Sequence, residues 1–102
     1  MENNINEITE HIEKADVIIQ LIEECAELVQ ACAKLMRAYR GTTPVPVQQA
    51  RSNFIEEMAD VSVVQAVALY GIMEPKEQEQ MFSIEAAKAQ RWVDRIEKGE
   101  LH

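Results

Sequence analysis

The sequence predicts an all-α protein, a single domain over residues 1–102 built as a bundle of four helices. Only three glycines, three prolines and 5% aromatic residues occur, whereas strands are enriched in aromatic and β-branched side chains. Apolar residues instead recur at spacings of three and four over long segments, the period of an amphipathic helix. A chain of 102 residues forms only a modest core. We therefore expect dimerisation, or tetramerisation, to complete the bundle.

The four helices are expected at residues 5–14, 16–40, 48–72 and 75–98. Asp16 has the chemistry of an N-cap, which places a break between the first two helices. Gly41 ends the second helix, and the prolines of the loop at 42–47 exclude helix there. Pro75 suits the first turn of the fourth helix.

The third helix predicts contact with another subunit. Between Val61 and Tyr70 only Ser62 and Gln65 interrupt an apolar run. A helix that is apolar on every side is buried on every side, and a chain of this size has too few other residues to cover it. The expected assembly is therefore a homodimer or a homotetramer.

Two similar acidic segments carry the candidate site, residues 22–28 and residues 55–61. Each reads Ile-Glu-Glu-x-Ala-acid-aliphatic, so each places two carboxylates three apart on one helix face: Glu24 with Glu27, and Glu57 with Asp60. The helical wheel sets Glu24 and Glu57 inside the apolar side of each helix, with the apolar residues of the second helix within about 60° of Glu24, and it sets Glu27 and Asp60 at the edge. Glu23 falls on a polar side of its helix.

These pairs predict a metal site. Buried carboxylates are disfavoured unless a cation compensates their charge, and hard cations such as Mg²⁺ and Mn²⁺ prefer carboxylate oxygen. Di-iron bundles use Glu-x-x-His, whereas neither pair here is followed by a suitably placed histidine. His11 precedes both pairs and is expected to be an ordinary surface residue.

A basic stripe on the fourth helix is the third signal. Lys88, Arg91, Arg95 and Lys98 fall within about 80° of one another. By itself such a stripe is typical of a solvated helix face. Next to two carboxylate pairs, it also suits phosphate oxygens that metal ions leave uncovered.

Charge and composition restrict the other classes of function. The formal net charge of −8 argues against nucleic-acid and membrane-surface binding. The polar start at residues 1–4 has no basic region before an apolar run, so we expect a cytoplasmic protein. Cys25 and Cys32 would lie about 10 Å apart on one helix, too far for a disulfide. We expect both to be buried core thiols.

The two acidic segments and the basic stripe, in this order, resemble the MazG-like all-α nucleoside triphosphate pyrophosphohydrolases over nearly the whole chain. Glu-Glu-Cys-Ala-Glu-Leu at 23–28 and Glu-Glu-Met-Ala-Asp-Val at 56–61 are similar to that family's Glu-x-x-Glu and Glu-x-x-Asp metal motifs. The resemblance implies an oligomeric helical bundle. It also implies Mg²⁺-dependent cleavage of a nucleoside triphosphate to the monophosphate and pyrophosphate.

The resemblance also implies residue roles. Glu24, Glu27, Glu57 and Asp60 would bind Mg²⁺, with Mn²⁺ as a substitute, and Lys88, Arg91 and Arg95 would contact the phosphates. Glu24 or Glu27 would orient or deprotonate the attacking water. Many members have an asparagine near the positions of Arg91 and Trp92, which this chain lacks.

Two other functions remain open from the sequence. One is a phosphoribosyl-ATP pyrophosphohydrolase, which shares the fold and the chemistry. The other is a non-catalytic helical dimer that acts as a binding or interaction module. No residue pattern selects a base or a sugar.

Overall fold

The computed structural model describes residues 1–100, which contain four α-helices and no β-strand. The helices are α1 (Glu2–His11), α2 (Lys14–Tyr39), α3 (Val47–Gly71) and α4 (Pro75–Glu97). The predicted all-α class and the four helices are confirmed, and every helix end lies within three residues of its expected position. The chain divides into two compact units, one covering Met1–Ile72 and the other beginning at Met73.

The break between α1 and α2 lies two to three residues earlier than the sequence predicts. Glu13, in extended conformation, is the N-cap of α2, and its carbonyl accepts hydrogen bonds from the N–H groups of Asp16 (3.0 Å) and Val17 (3.1 Å). The prediction of Asp16 as N-cap is therefore wrong. Asp16 lies inside the first turn, where a carboxylate still stabilises the positive end of the helix dipole.

Helix α2 ends at Tyr39, two residues before Gly41, and α4 begins as expected at Pro75. Gly41 has φ +68°, a conformation that glycine adopts without strain, and the Thr42 N–H then donates to the Arg37 carbonyl at 3.0 Å. At the start of α4 the Glu74 N–H donates to Glu77 Oε1 at 2.8 Å. This reciprocal capping box satisfies donors that the first turn leaves free.

Helices α2 and α3 pack as an antiparallel pair in the first unit, with α1 against α3. One core cluster joins Val17 of α2 to Val67 of α3 and Ile5 of α1. The other joins the opposite end of α2, at Leu35 and Ala38, to Ala50 near the start of α3. The middle of each long helix, where the acidic segments lie, is thus set between two apolar clusters.

Gly71 allows α1 to approach α3 closely. A Cβ atom at this position would lie 3.2 Å from Thr9 Cγ2, tighter than an ordinary van der Waals contact. Gly71 is the last residue of α3, as expected, and its φ is not positive. The reason for glycine here is therefore the packing of α1 and not a left-handed helix end.

Only part of the circumference of α3 is covered within its unit. Ala50 and Val67 are its buried residues, while Val63 and Tyr70 remain exposed. Contact of this exposed side with another subunit stays a prediction.

The two cysteines are not core residues. Both Cys25 and Cys32 are exposed, so the prediction of buried thiols is wrong. Cys25 follows Glu24, and Cys32 follows the buried Ala31. At about 100° per residue, both thiols are therefore rotated away from the side of α2 that packs on α3.

Among the helices of residues 1–100, none combines the length and apolarity needed to cross a bilayer.

Candidate metal centre

The side of α2 that packs in the first unit is the side that carries Glu24. Val17, Ala31 and Leu35 on this side are buried, and Glu24 between them is half-buried. Glu27, at the edge, is exposed. The helical wheel of α2 placed these residues correctly.

Helix α3 presents its pair in the same way. Phe54, Val61 and Val64 are half-buried together with Glu57, and Asp60 is exposed. Each helix thus contributes one carboxylate that reaches into the apolar interface and one at its rim.

The antiparallel register brings the two pairs together. Val17 packs with Val67 near one end of the pair, and Leu35 packs with Ala50 near the other end. The two helices are therefore aligned along the whole length between these contacts. Glu24, Glu27, Glu57 and Asp60 each offer one oxygen atom, and these four atoms all lie within 4.8 Å of one another. Four carboxylates from two sequence-distant segments therefore form one cluster, which we call the carboxylate cluster.

Two oxygen atoms of the carboxylate cluster are buried and have no hydrogen-bond partner among residues 1–100. They are Oε2 of Glu24 and Oε2 of Glu57. Buried polar atoms in folded proteins are nearly always satisfied, and a carboxylate oxygen can be satisfied only by a donor or a cation. A bound cation would satisfy both oxygen atoms.

The same environment raises the pKa of both inner carboxyls. For Glu24, loss of hydration is the largest cause, followed by the negative charges of Glu27, Asp60 and Glu23. For Glu57, loss of hydration again comes first, followed by the charges of Glu27 and Asp60. Both effects disfavour the charged form, and both are relieved by a bound cation.

The donor set suits Mg²⁺ or Mn²⁺. All four donors are carboxylate oxygens, which hard divalent cations prefer, whereas zinc and iron sites usually include histidine or cysteine. His11 lies outside the cluster, exposed at the end of α1, with Nδ1 2.8 Å from the Glu7 carbonyl oxygen. The residues present therefore fit the expected metal.

We expect the carboxylate cluster to make the metal-free protein less stable as pH rises. Because the folded-state pKa values of Glu24 and Glu57 lie above their ordinary value of 4.5, the folded state holds these protons more tightly than the unfolded chain. The stability that they contribute is complete below pH 4.5 and is lost as pH rises through the raised values.

The measurement is the melting temperature of the wild type and of the Glu24→Gln/Glu57→Gln double variant, from pH 4 to pH 8 in a chelator. The variant lacks both titrating groups, so its advantage over the wild type should grow with pH. Added Mg²⁺ or Mn²⁺ should reduce this difference, because it binds only the folded wild type tightly. A difference that does not change with pH would contradict the expectation.

The basic residues lie on another element. Lys88, Arg91 and Arg95 are exposed on α4, and Lys98 is its C-cap. The structure thus brings the four predicted metal ligands together on α2 and α3, and places the three predicted phosphate contacts along α4 in the second unit.

Comparison of the chain with protein-family models, with curated proteins and with solved structures found no match.

Proposed function

We propose that the protein is a Mg²⁺-dependent nucleoside triphosphate pyrophosphohydrolase with a MazG-like fold. The observation that carries the proposal is the carboxylate cluster: two acidic pairs from antiparallel helices converge, and each inner glutamate has a buried, unpartnered oxygen. Structural acidic residues normally point into solvent or pair with a basic residue. A cation bound among four that converge on one point would compensate their charge, and hydrolysis of phosphoanhydrides is a chemistry that such cations commonly assist.

Each residue of the proposed site has a role that its chemistry supports. Glu24, Glu27, Glu57 and Asp60 hold the metal. When bound, Mg²⁺ polarises phosphoryl oxygens and makes a coordinated water more acidic.

The proton of the attacking water must also be accepted. Glu24 and Glu27 are the candidate bases, and they differ in exposure. Glu27 is exposed, so it can exchange protons with solvent. Glu24 is half-buried between α2 and α3, so it is the more shielded from solvent of the two.

The phosphate tail needs positive charge beyond the metal, because the protein carries a formal net charge of −8. Lys88, Arg91 and Arg95 supply three cations at helical spacing on α4. Guanidinium groups bind phosphate oxygens in a forked geometry and stabilise the negative charge that develops on departing pyrophosphate. We propose these three as the phosphate-binding residues.

The proposal includes assembly as a homodimer or homotetramer. The exposed Val63 and Tyr70 lie seven residues apart and so share a face of α3, and they support it because exposed apolar residues that form one patch mark an interaction site.

The test is a screen of the canonical and oxidised ribo- and deoxyribonucleoside triphosphates, each with Mg²⁺, with Mn²⁺ and with a chelator. We expect equal amounts of nucleoside monophosphate and pyrophosphate, and none in the chelator. Inorganic phosphate as the product would contradict cleavage between the α and β phosphates.

The same screen separates the alternatives if phosphoribosyl-ATP is included. Activity on that compound alone would identify a phosphoribosyl-ATP pyrophosphohydrolase. Tight Mn²⁺ binding without turnover of any compound would identify a non-catalytic binding module.

A further inference from the structure

Helix α2 has a second apolar side that remains exposed within its own unit. Its members recur at alternating spacings of four and three residues, and all are exposed: Ile18, Ile22, Cys25, Val29, Cys32, Met36 and Tyr39. This is the a/d spacing of a coiled coil, in which each side chain packs between those of a facing helix. We call this set the α2 stripe.

The α2 stripe is distinct from the side of α2 that packs on α3. Val17 and Leu35 are buried, whereas the residues that follow them, Ile18 and Met36, are exposed. Ile22 and Val29 near the middle are 64% and 67% exposed. From Ile18 to Tyr39 the stripe runs about 32 Å at 1.5 Å per residue. A contiguous apolar surface of this length is unusual on a free monomer and marks an interaction site.

We propose that the α2 stripe binds the α2 stripe of a second copy of this chain, in antiparallel orientation. Charge selects this occupant. Residues 15–27 contain no lysine or arginine, and residues 28–40 contain no aspartate or glutamate. Outside the carboxylate cluster, the acidic residues of this part of α2 are Asp16 and Glu23, and both are exposed. An antiparallel pair sets the half of α2 that carries them beside the basic half of the partner's α2, and the same holds for the other copy. In a parallel pair the basic half of each helix would lie at the same level as the basic half of the other, without this complementarity.

The spacing also selects a register. Antiparallel coiled coils place a positions opposite d positions. A register in which the two helices cross their midpoint between Gln30 and Ala31 pairs the residues of the α2 stripe in this way. It sets Val29 against the partner's Cys32, Cys25 against the partner's Met36, and Ile22 against the partner's Tyr39. The same register brings Arg37 near the partner's Glu23, which is exposed.

The far end of the stripe is held in position by α3. The Tyr39 hydroxyl accepts a hydrogen bond from Arg51 Nη1 at 2.6 Å, which fixes the ring direction before association. Because the stripe and the carboxylate cluster lie on different sides of α2, the pairing does not use Glu24. The contact is isologous, as expected for a two-fold dimer.

The first experiment is sedimentation of the full chain at micromolar concentration. We expect the wild type to be a dimer or a larger even assembly. Val29→Glu places a charge at the centre of the stripe and should weaken association at least about 100-fold, the scale of a central interface residue. Val45→Glu is the matched control, since Val45 is an exposed loop valine, and it should leave association unchanged. A monomeric wild type, or equal loss in both variants, would overturn the proposal.

The second experiment tests orientation without adding a charge. With Cys32→Ser, only Cys25 remains, and in the antiparallel register the two copies of Cys25 are offset by about 16 Å along the axis, beyond the roughly 7 Å limit for a disulfide. Mild oxidation should give no covalent dimer.

Adding Met36→Cys to Cys32→Ser should then restore cross-linking, because position 36 faces the partner's Cys25. A protein with Cys25→Ser, Cys32→Ser and Met36→Cys together should not cross-link. Cross-linking through Cys25 alone would show a parallel pair, and no cross-linking of the Cys25 and Met36→Cys combination would show a different interface. Either result overturns the proposal. Because these variants do not contain Val29→Glu, the test holds even if that variant fails to fold.

Discussion

Glu57→Gln should abolish pyrophosphohydrolase activity while the protein remains helical and assembled. The substitution keeps the size of the side chain but replaces a charged oxygen by a neutral amide, at a position where Oε2 is buried without a partner. Bound divalent metal supplies several kcal/mol of transition-state stabilisation. Loss of the metal should therefore lower kcat/KM by at least about 1,000-fold. Steady-state kinetics in Mg²⁺, with circular dichroism for the fold, measures both parts.

Glu24→Gln should behave in the same way, because Glu24 is the corresponding inner carboxylate of α2. Glu23→Gln is the matched control: it removes one charge from the neighbouring position on the exposed side, and its effect on kcat/KM should be small. The metal-induced rise in melting temperature should disappear in Glu24→Gln and persist in Glu23→Gln. Full activity of Glu57→Gln or Glu24→Gln would rule out the carboxylate cluster as the catalytic centre.

Arg91→Ala combined with Arg95→Ala should lower kcat/KM by about 100-fold or more without weakening the affinity of the free protein for Mn²⁺. Each hydrogen-bonded charged contact contributes about 1.5–3 kcal/mol, or at least about tenfold in rate per residue, and Lys88→Ala should have an effect of the same kind. Both arginines are exposed on α4, so their loss should not disturb a core. The readouts are kcat/KM on the preferred triphosphate and Mn²⁺ titration in the absence of substrate.

Lys98→Ala supplies the control. Lys98 is the C-cap of α4, so this substitution removes the same charge at the end of the basic stripe. Its effect should be within the small range of ordinary surface substitutions. If the double arginine variant keeps the kinetics of the wild type, the basic stripe is a solvated face. The proposed site would then need another source of positive charge for the phosphates.

The sequence by itself determined the secondary structure and the identity of the clustered acids. The absence of glycine and proline inside the long segments predicts α2 and α3. Gly41 correctly marks the end of α2 to within two residues, and Pro75 correctly marks the start of α4. Helical geometry also fixes which side chains share a face, so Glu24 and Glu57 could be assigned to the apolar side. The exact start of α2 could not be predicted, since Glu13 and Asp16 both have carboxylates suited to a helix N-terminus.

Only the tertiary structure decided which faces of the helices meet. A wheel shows that α2 has apolar residues on two sides, but it does not show that Val17 and Leu35 are buried against other helices while Ile22, Cys25 and Val29 stay exposed. The prediction of buried cysteines was wrong for this reason. Likewise, the antiparallel register that brings Glu24 and Glu27 beside Glu57 and Asp60 depends on how the two core clusters pack. Periodicity is a property of one helix, whereas burial and register arise from the contacts between helices.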